Sequence, residues 1–239
     1  MSTRDEDFVQ EVFVSSTHAV VLFFSSRGMV YQLKAYRLPM GNPQARGKPM
    51  VNLLPLAEGE TISTVMVLPE DEDSWEDFHV VFTTASGGVR RNTLSDFTNI
   101  MANGKIAMKL DEGDKLVRVR TCTEDDDILL ATRQGMCIRF PVPDVRVFSG
   151  RTSTGVRGIK LDKGDNVIAM SILRHAEIDM EIRDAYLRAS AASRRTDGEP
   201  NVDDASLDEG AANIDPLAFE TLAQNEQFVL AVTEKGFGK

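Results

Sequence analysis

The stretch NGKIAMKLDEGDKLV, starting at Asn103, is written almost a second time as TGVRGIKLDKGDNV from Thr154, with Gly104 and Gly113 spaced nine apart as Gly155 and Gly164 are. A frame this long that recurs is architecture. Each copy is one supersecondary unit that cannot bury its apolar face alone, so the copies must stack. The second copy offers Gly155, Arg157, Gly158 and Lys160 in quick succession, as a phosphate-gripping loop would. No Walker-type GK[ST] follows, and the glycines are read as tight backbone paths between strands.

A partner unit precedes each copy. VVLFFSSRGMVYQLK from Val20, VVFTTASGGVRRNTL from Val80 and ILLATRQGMCIRFP from Ile128 are apolar runs joined by a short polar turn with Gly, and FVLAVTEKGFGK from Phe228 begins a fourth. β-branched and aromatic runs on either side of a Gly-containing turn predict β-hairpins. The turn glycines Gly28, Gly87 and Gly135 lie 59 and 48 residues apart. The closing glycines of the following units, Gly59, Gly113 and Gly164, lie 54 and 51 apart. A period near fifty fits about four strands with their turns, one blade of a propeller-like array. In the first and third hairpins Met29, Tyr31, Leu33 and Met136, Ile138, Phe140 alternate cleanly, whereas the second has Gly88, Arg90 and Asn92 on that face.

Gly236 follows Gly135 by 101 residues, so about fifty residues are inserted into one period. Between His175 and Glu226 there are 13 acidic and 4 basic residues, which accounts for −9 of the formal net charge of −10. The average charge argues against nucleic acid or anionic membrane as a partner, but the acid is local. Ile178, Ile182, Ala185, Tyr186 and Ala189 recur at helical spacing, TDGEPNVDDASLDEGAAN reads as disordered, and PLAFETLAQ as a short second helix. The expected division is three blades over 1–174, an acidic insertion over 175–227, and the start of a further blade over 228–239. EDEDSWED, from Glu70, reads as a solvated connection in which Trp75 packs locally.

Cys122 and Cys137 lack CxxC or Cys/His spacing, which fits buried free thiols in a reducing cytosol. No apolar run approaches the roughly 18 residues needed to span a bilayer, so no membrane is expected. His18, His79 and His175 are scattered without carboxylate partners at ligand spacing, and no HExxH or GxSxG occurs. Asp125, Asp126 and Asp127 read as a polar turn rather than a cation site. No catalytic residue and no metal is assigned.

What recurs besides glycine is positive charge where a blade turns toward solvent. The candidates are Arg27, Arg46 and Lys48 in the first unit and Arg90, Arg91 and Lys105 in the second. The third adds Arg133, Arg139, Arg151 and Arg157, and the last Lys235 and Lys239. Scattered, they would be ordinary surface polarity. Repeated at one height of each blade, they form an arc that can follow a bent polyanion.

SSRGMVYQLKAYRLP, QARGKPMVNLLPL, GKIAMKLDEGD and GRTSTGVRGIKL closely resemble the C-terminal domain of DNA gyrase A, from about Asp5 to Arg174 and again from Phe228. The corresponding domain of topoisomerase IV is a near relative, and ARGKPMVNLLPL and TGVRGIKL are more like gyrase. The resemblance implies an all-β, six-bladed β-pinwheel of four-stranded antiparallel blades that exchange strands, here a partial array. It implies a basic rim that wraps double-stranded DNA, in a type II topoisomerase that introduces negative supercoils in the cytoplasm, on the chromosome. ATP and Mg would act through the partner protein, gyrase B, in an A2B2 assembly. The family's QRRGGKG-type box and its cleavage-domain tyrosine have no counterpart in this sequence, so the chain reads as an inactive fragment by itself. A propeller-type scaffold whose basic loops meet an acidic protein is the alternative from the residues alone.

Overall fold

The computed structural model describes residues 11–42, 47–196 and 214–238. Two units divide the chain, the first up to His175 and the second from Ala176. In the first unit the strands are β1 (Val20–Ser25), β2 (Met29–Lys34), β3 (Ile62–Val67), β4 (His79–Thr84), β5 (Gly88–Thr93) and β6 (Lys105–Ile106). They continue with β7 (Leu116–Cys122), β8 (Asp126–Thr132), β9 (Cys137–Pro141), β10 (Val156–Arg157) and β11 (Val167–Arg174).

Three antiparallel sheets result, ordered β3-β1-β2-β6, β10-β5-β4-β7 and β11-β8-β9. The hairpins are the three read from sequence. Each sheet is closed on one side by the strand that follows its own hairpin's connection, and the first two are closed on the other by a strand lent from the next unit. β6 follows the second hairpin yet pairs with β2, Ile106 opposite Met29 and Lys105 opposite Val30. β10 follows the third hairpin yet pairs with β5, Val156 opposite Val89 and Arg157 opposite Gly88. The third sheet has three strands where four are expected, and β9 has a single neighbour among the described residues.

Apolar runs without alternation are what strands buried on both faces require. In β1, Val20, Leu22 and Phe24 join one core while Val21 and Phe23 join another. In β4, Val80 and Phe82 face the first of these cores and Val81 faces a third, shared with Val89, Ile128, Leu130 and Val167. The central strands thus work on both faces. Phe24, Phe82 and Phe97 meet at centroid distances of 5.4 to 5.9 Å, a geometry favourable beyond the area buried. Trp75 joins the same core from a short 3-10 turn, its Nε1 donating to Pro69 O at 2.9 Å.

Three expectations are corrected here. Cys122 is buried, but Cys137 is exposed because it lies on the uncovered strand β9; both thiols are free. Asp126 and Asp127 belong to β8 rather than to a turn, and Asp127 is buried because Arg139 Nε (2.6 Å) and His175 Nδ1 (2.7 Å) bind its carboxylate. The fourth apolar run is not a hairpin but a turn with one bridge, Val232 to Gly238. Phe228 and Leu230 are about three-quarters exposed, and a two-stranded ribbon without a covering layer is marginal in water.

In the second unit, α1 (Met180–Thr196) and α2 (Pro216–Asn225) form where helical spacing was read. Asp179 Oδ1 accepts from Glu181 N, and Asp215 Oδ2 from Ala218 N with Pro216 in the first turn, so both starts carry carboxylate caps. Tyr186 and Phe219 meet in a tilted arrangement, ring centroids 5.1 Å apart. The stretch expected to be disordered lies, from 197 to 213, outside the described residues.

Candidate nucleic-acid interface

A backbone hydrogen-bond circuit sets the three hairpin turns of the first unit at one edge. At the first turn Ser26 N donates to Thr61 O (2.7 Å), beside the strand closing its own sheet, and Ser26 O accepts from Leu116 N (3.0 Å), where the next sheet's closing strand begins. At the second turn Ala85 N donates to Lys115 O (2.8 Å) and Ala85 O accepts from Val167 N (3.0 Å). At the third, Arg133 N donates to Asn166 O (2.9 Å). The first two turns are thereby clasped between closing strands, the third is held by its own, and all three share one edge of the stack.

The repeated Gly-Asp explains how the turns are held. Asp114, after Gly113, accepts from Ser86 N and Ser86 Oγ at 3.0 and 2.6 Å, and Asp165, after Gly164, accepts from Gln134 N at 3.0 Å. In the first unit Glu60 takes this place. It accepts from Ala57 N (2.8 Å) and from Tyr31 Oη (3.1 Å), and burial together with the Glu60 charge pushes the Tyr31 phenol up to about 12.

The lent strands reach the same edge. Gly28 O accepts from the amides of Ala107 and Met108, and Gly87 O from Gly158 N at 2.9 Å. The approach depends on glycine. Gly155 has φ +89, and a Cβ there would stand 2.4 Å from Val89 O. The nucleotide-loop appearance of this stretch is thus explained by packing.

Arg27 is exposed on the first turn, with Nη2 2.5 Å from Glu58 O. Lys105 is half-buried on β6, its Nζ donating to Asn99 O, and Arg157 is exposed on β10. Arg133 is exposed on the third turn. Lys48 is exposed beside Gly47, the repeat position that matches Lys105. Arg151 is half-buried, its Nη1 donating to Asp96 O at 3.3 Å. Lys235 lies on the exposed turn of the second unit, and Arg46 and Lys239 fall outside the described residues.

Arg90 and Arg91 are buried, where a solvent-facing rim cannot use them, and Arg139 is exposed but paired with Asp127. Arg90 is 0% exposed and Arg91 5%, because the loop ahead of β10 folds over β5. Burial, opposed by Asp96 and reinforced by Arg151, lowers the Arg90 guanidinium to about 10. Arg91 lies 3.5 Å from Glu124 beside His79, which burial and Arg91 hold below the usual imidazole range. Arg139, midway along β9 opposite Leu129, bonds to Asp127 and to Arg174 O (3.2 Å). Sequence reading missed Lys109. It lines, with Ser86, Gly88, Asp114, Gly155 and Arg157, a depression of about 310 Å³ at the second turn. The signal was present, since Lys109 and Lys160 match in KLDEGD and KLDKGD. Among the described residues no cluster of His, Cys, Asp or Glu could hold a metal ion.

Stacked antiparallel sheets, the first two each borrowing an outer strand from the following unit, define a propeller-type array of interlocked blades. The chain belongs to the DNA gyrase C-terminal domain family of β-propellers, whose model matches residues 19–69, 79–123 and 126–174. It is 50% identical over 249 residues to the DNA gyrase A protein of Granulibacter bethesdensis and 48% over 242 to that of Rickettsia bellii, each alignment covering all of this chain and 26% of the relative. With the DNA gyrase A protein of Staphylococcus epidermidis the identity is 44% over 172 residues, 72% of this chain and 19% of the relative. The chain therefore spans about a quarter of the length of the relatives that match it throughout. Among solved structures, a DNA gyrase A C-terminal domain is similar at TM-score 0.53 and 26% identity, covering 66% of this chain and 49% of that one. A C-terminal domain of DNA topoisomerase IV is similar at TM-score 0.60 and 21% identity, covering 66% and 48%; at that identity the likeness is one of fold alone. The pinwheel reading is thus borne out, and the sequence relatives carry the gyrase name.

Proposed function

We propose that this chain is part of the DNA-wrapping domain of a DNA gyrase A protein, and that duplex DNA lies along the edge defined by the three hairpin turns. The observation carrying this reading is the hydrogen-bond circuit through Ser26, Ala85 and Arg133, which brings the three turns to one edge, with Arg27 and Arg133 on turns and Lys105 and Arg157 on the lent strands beside them. Lys48, Lys109 and Arg151 extend the set, while Arg90, Arg91 and Arg139 leave it. Each edge cation would neutralise a phosphate and release a counterion. Smoothly bending a site of about 20 to 30 base pairs costs on the order of 1 to 6 kcal/mol, so several contacts must share that cost. Base edges need not be read, which makes the binding sequence-tolerant.

The residues over 175–227 are then an acidic insertion between blades, with charge that repels phosphate, and 228–239 starts the next blade. Cleavage, ATP hydrolysis with Mg, and pairing with gyrase B would belong to other parts of an A2B2 enzyme that supercoils the chromosome in the cytoplasm. The test is end-to-end energy transfer on a doubly labelled duplex of about 30 base pairs. The reading predicts that adding the chain shortens the end-to-end distance similarly for unrelated sequences. Absence of binding at low salt would overturn it and favour an acidic protein as the partner of these loops.

A further inference from the structure

Counted from the turn glycines, Arg90 and Asn92 occupy the positions that hold Tyr31 and Leu33 in the first hairpin, and Ile138 and Phe140 in the third. Both polar side chains are 0% exposed. Nε and Nη2 of Arg90, Oδ1 of Asn92 and Oγ of the neighbouring Ser153 have no hydrogen-bond partner. A buried cation with unmatched donors is less favourable than an apolar side chain of similar size, so packing alone does not account for the pair.

What the pair does is grip one loop. Arg90 Nη1 donates to Ser153 O at 2.9 Å, and the guanidinium lies over the Phe148 ring at 5.4 Å. Asn92 Nδ2 donates to Phe148 O at 2.8 Å, to Asp96 Oδ2 at 2.9 Å and, more weakly, to Gly150 O at 3.4 Å. Phe148 N in turn donates to Arg91 O at 2.8 Å. The gripped segment carries Arg151 and runs directly into Arg157 on β10. Apolar contact would cover β5 equally well, but hydrogen bonds to the carbonyls of Phe148, Gly150 and Ser153 also fix the height and rotation of the loop.

We propose that Arg90 and Asn92 are positioning residues: from inside the second sheet they fix the 148–154 loop of the next unit and thereby aim Arg151 and Arg157 at the duplex. The proposal rests on the DNA-wrapping reading above. It makes a buried arginine, which reaches no phosphate itself, control how many phosphates are met.

Arg90→Met tests this with two readouts. Hydrogen exchange needs no DNA: the amides of 148–154 should exchange roughly tenfold faster or more, with those of β4 unchanged. On duplex DNA, the slope of log affinity against log salt should shrink by about one to two. Arg157→Gln alone should lower it by about one, and adding Arg157→Gln to Arg90→Met should lower it little further. Should Arg90→Met fail to fold, Arg90→Lys, which keeps the charge but cannot reproduce the planar grip, is read in the same two ways. Unchanged loop exchange, or additive slope losses with the wild-type chain binding normally, would overturn the positioning role alone. A wild-type chain that binds no duplex would instead remove the DNA reading, and the aiming role with it.

Discussion

Gly155 and Gly113 share a left-handed backbone, φ +89 and +82, but not a fate. A Cβ at Gly155 would stand 2.4 Å from Val89 O and 3.0 Å from Arg90 Cβ, whereas at Gly113 it would meet nothing within 4 Å. Gly113→Ala should therefore cost only the backbone strain, about 1 to 2 kcal/mol, and Gly155→Ala distinctly more, since β10 must also retreat from β5. Denaturant midpoints of the two variants check the order. The thiols differ as sharply. Burial, with Asp126 adding to it, pushes Cys122 up to about 12, while Cys137 is exposed; a thiol-alkylating reagent should add once to the native chain, at Cys137, by peptide mass. The Tyr31 phenol is raised from 10.0 to about 12. A raised pKa favours the neutral form in the fold, so its contribution is complete below pH 10 and is lost as pH rises toward 12. Tyr31→Phe should flatten the stability profile across that window. Among single residues the sequence was legible for glycines and misleading for Arg90 and Arg91. Their charge predicts exposure, and only the loop folding back over β5, a non-local contact, puts them inside.

The strand β8 shows what an element owes to a single buried charge. Asp127 ties β9 through Arg139 and the end of β11 through His175 and Arg139's bond to Arg174 O. Asp127→Ala should cost about 1.5 to 3 kcal/mol, the range for hydrogen bonds to charged groups, and should speed hydrogen exchange along β9 more than along β4. The hairpins were legible because their apolar runs and turn glycines are local signals, and both helices because of their spacing. The lent strands β6 and β10 were not, since two residues paired across units leave no periodicity to read. The triple aspartate illustrates the same limit, because the strand pairing that puts Asp127 beside Arg139 and His175 spans 12 and 48 residues.

Across the stacked sheets, the period near fifty made the propeller class legible, and the acid between His175 and Glu226 leaves only −1 of the net charge of −10 for the rest of the chain. That the three turns share one edge follows from the circuit of turn hydrogen bonds, a property of the stack that no single repeat carries. Whether duplex DNA follows this edge is tested most sharply by the salt dependence of duplex binding for single-charge variants. Arg27→Gln, Arg133→Gln and Arg157→Gln should each shrink the slope of log affinity against log salt by about one on every sequence tested. Arg139→Gln, which removes a cation paired with Asp127, should leave it unchanged. Equal slopes for all four variants and the wild-type chain would mean that the duplex does not lie along the turns.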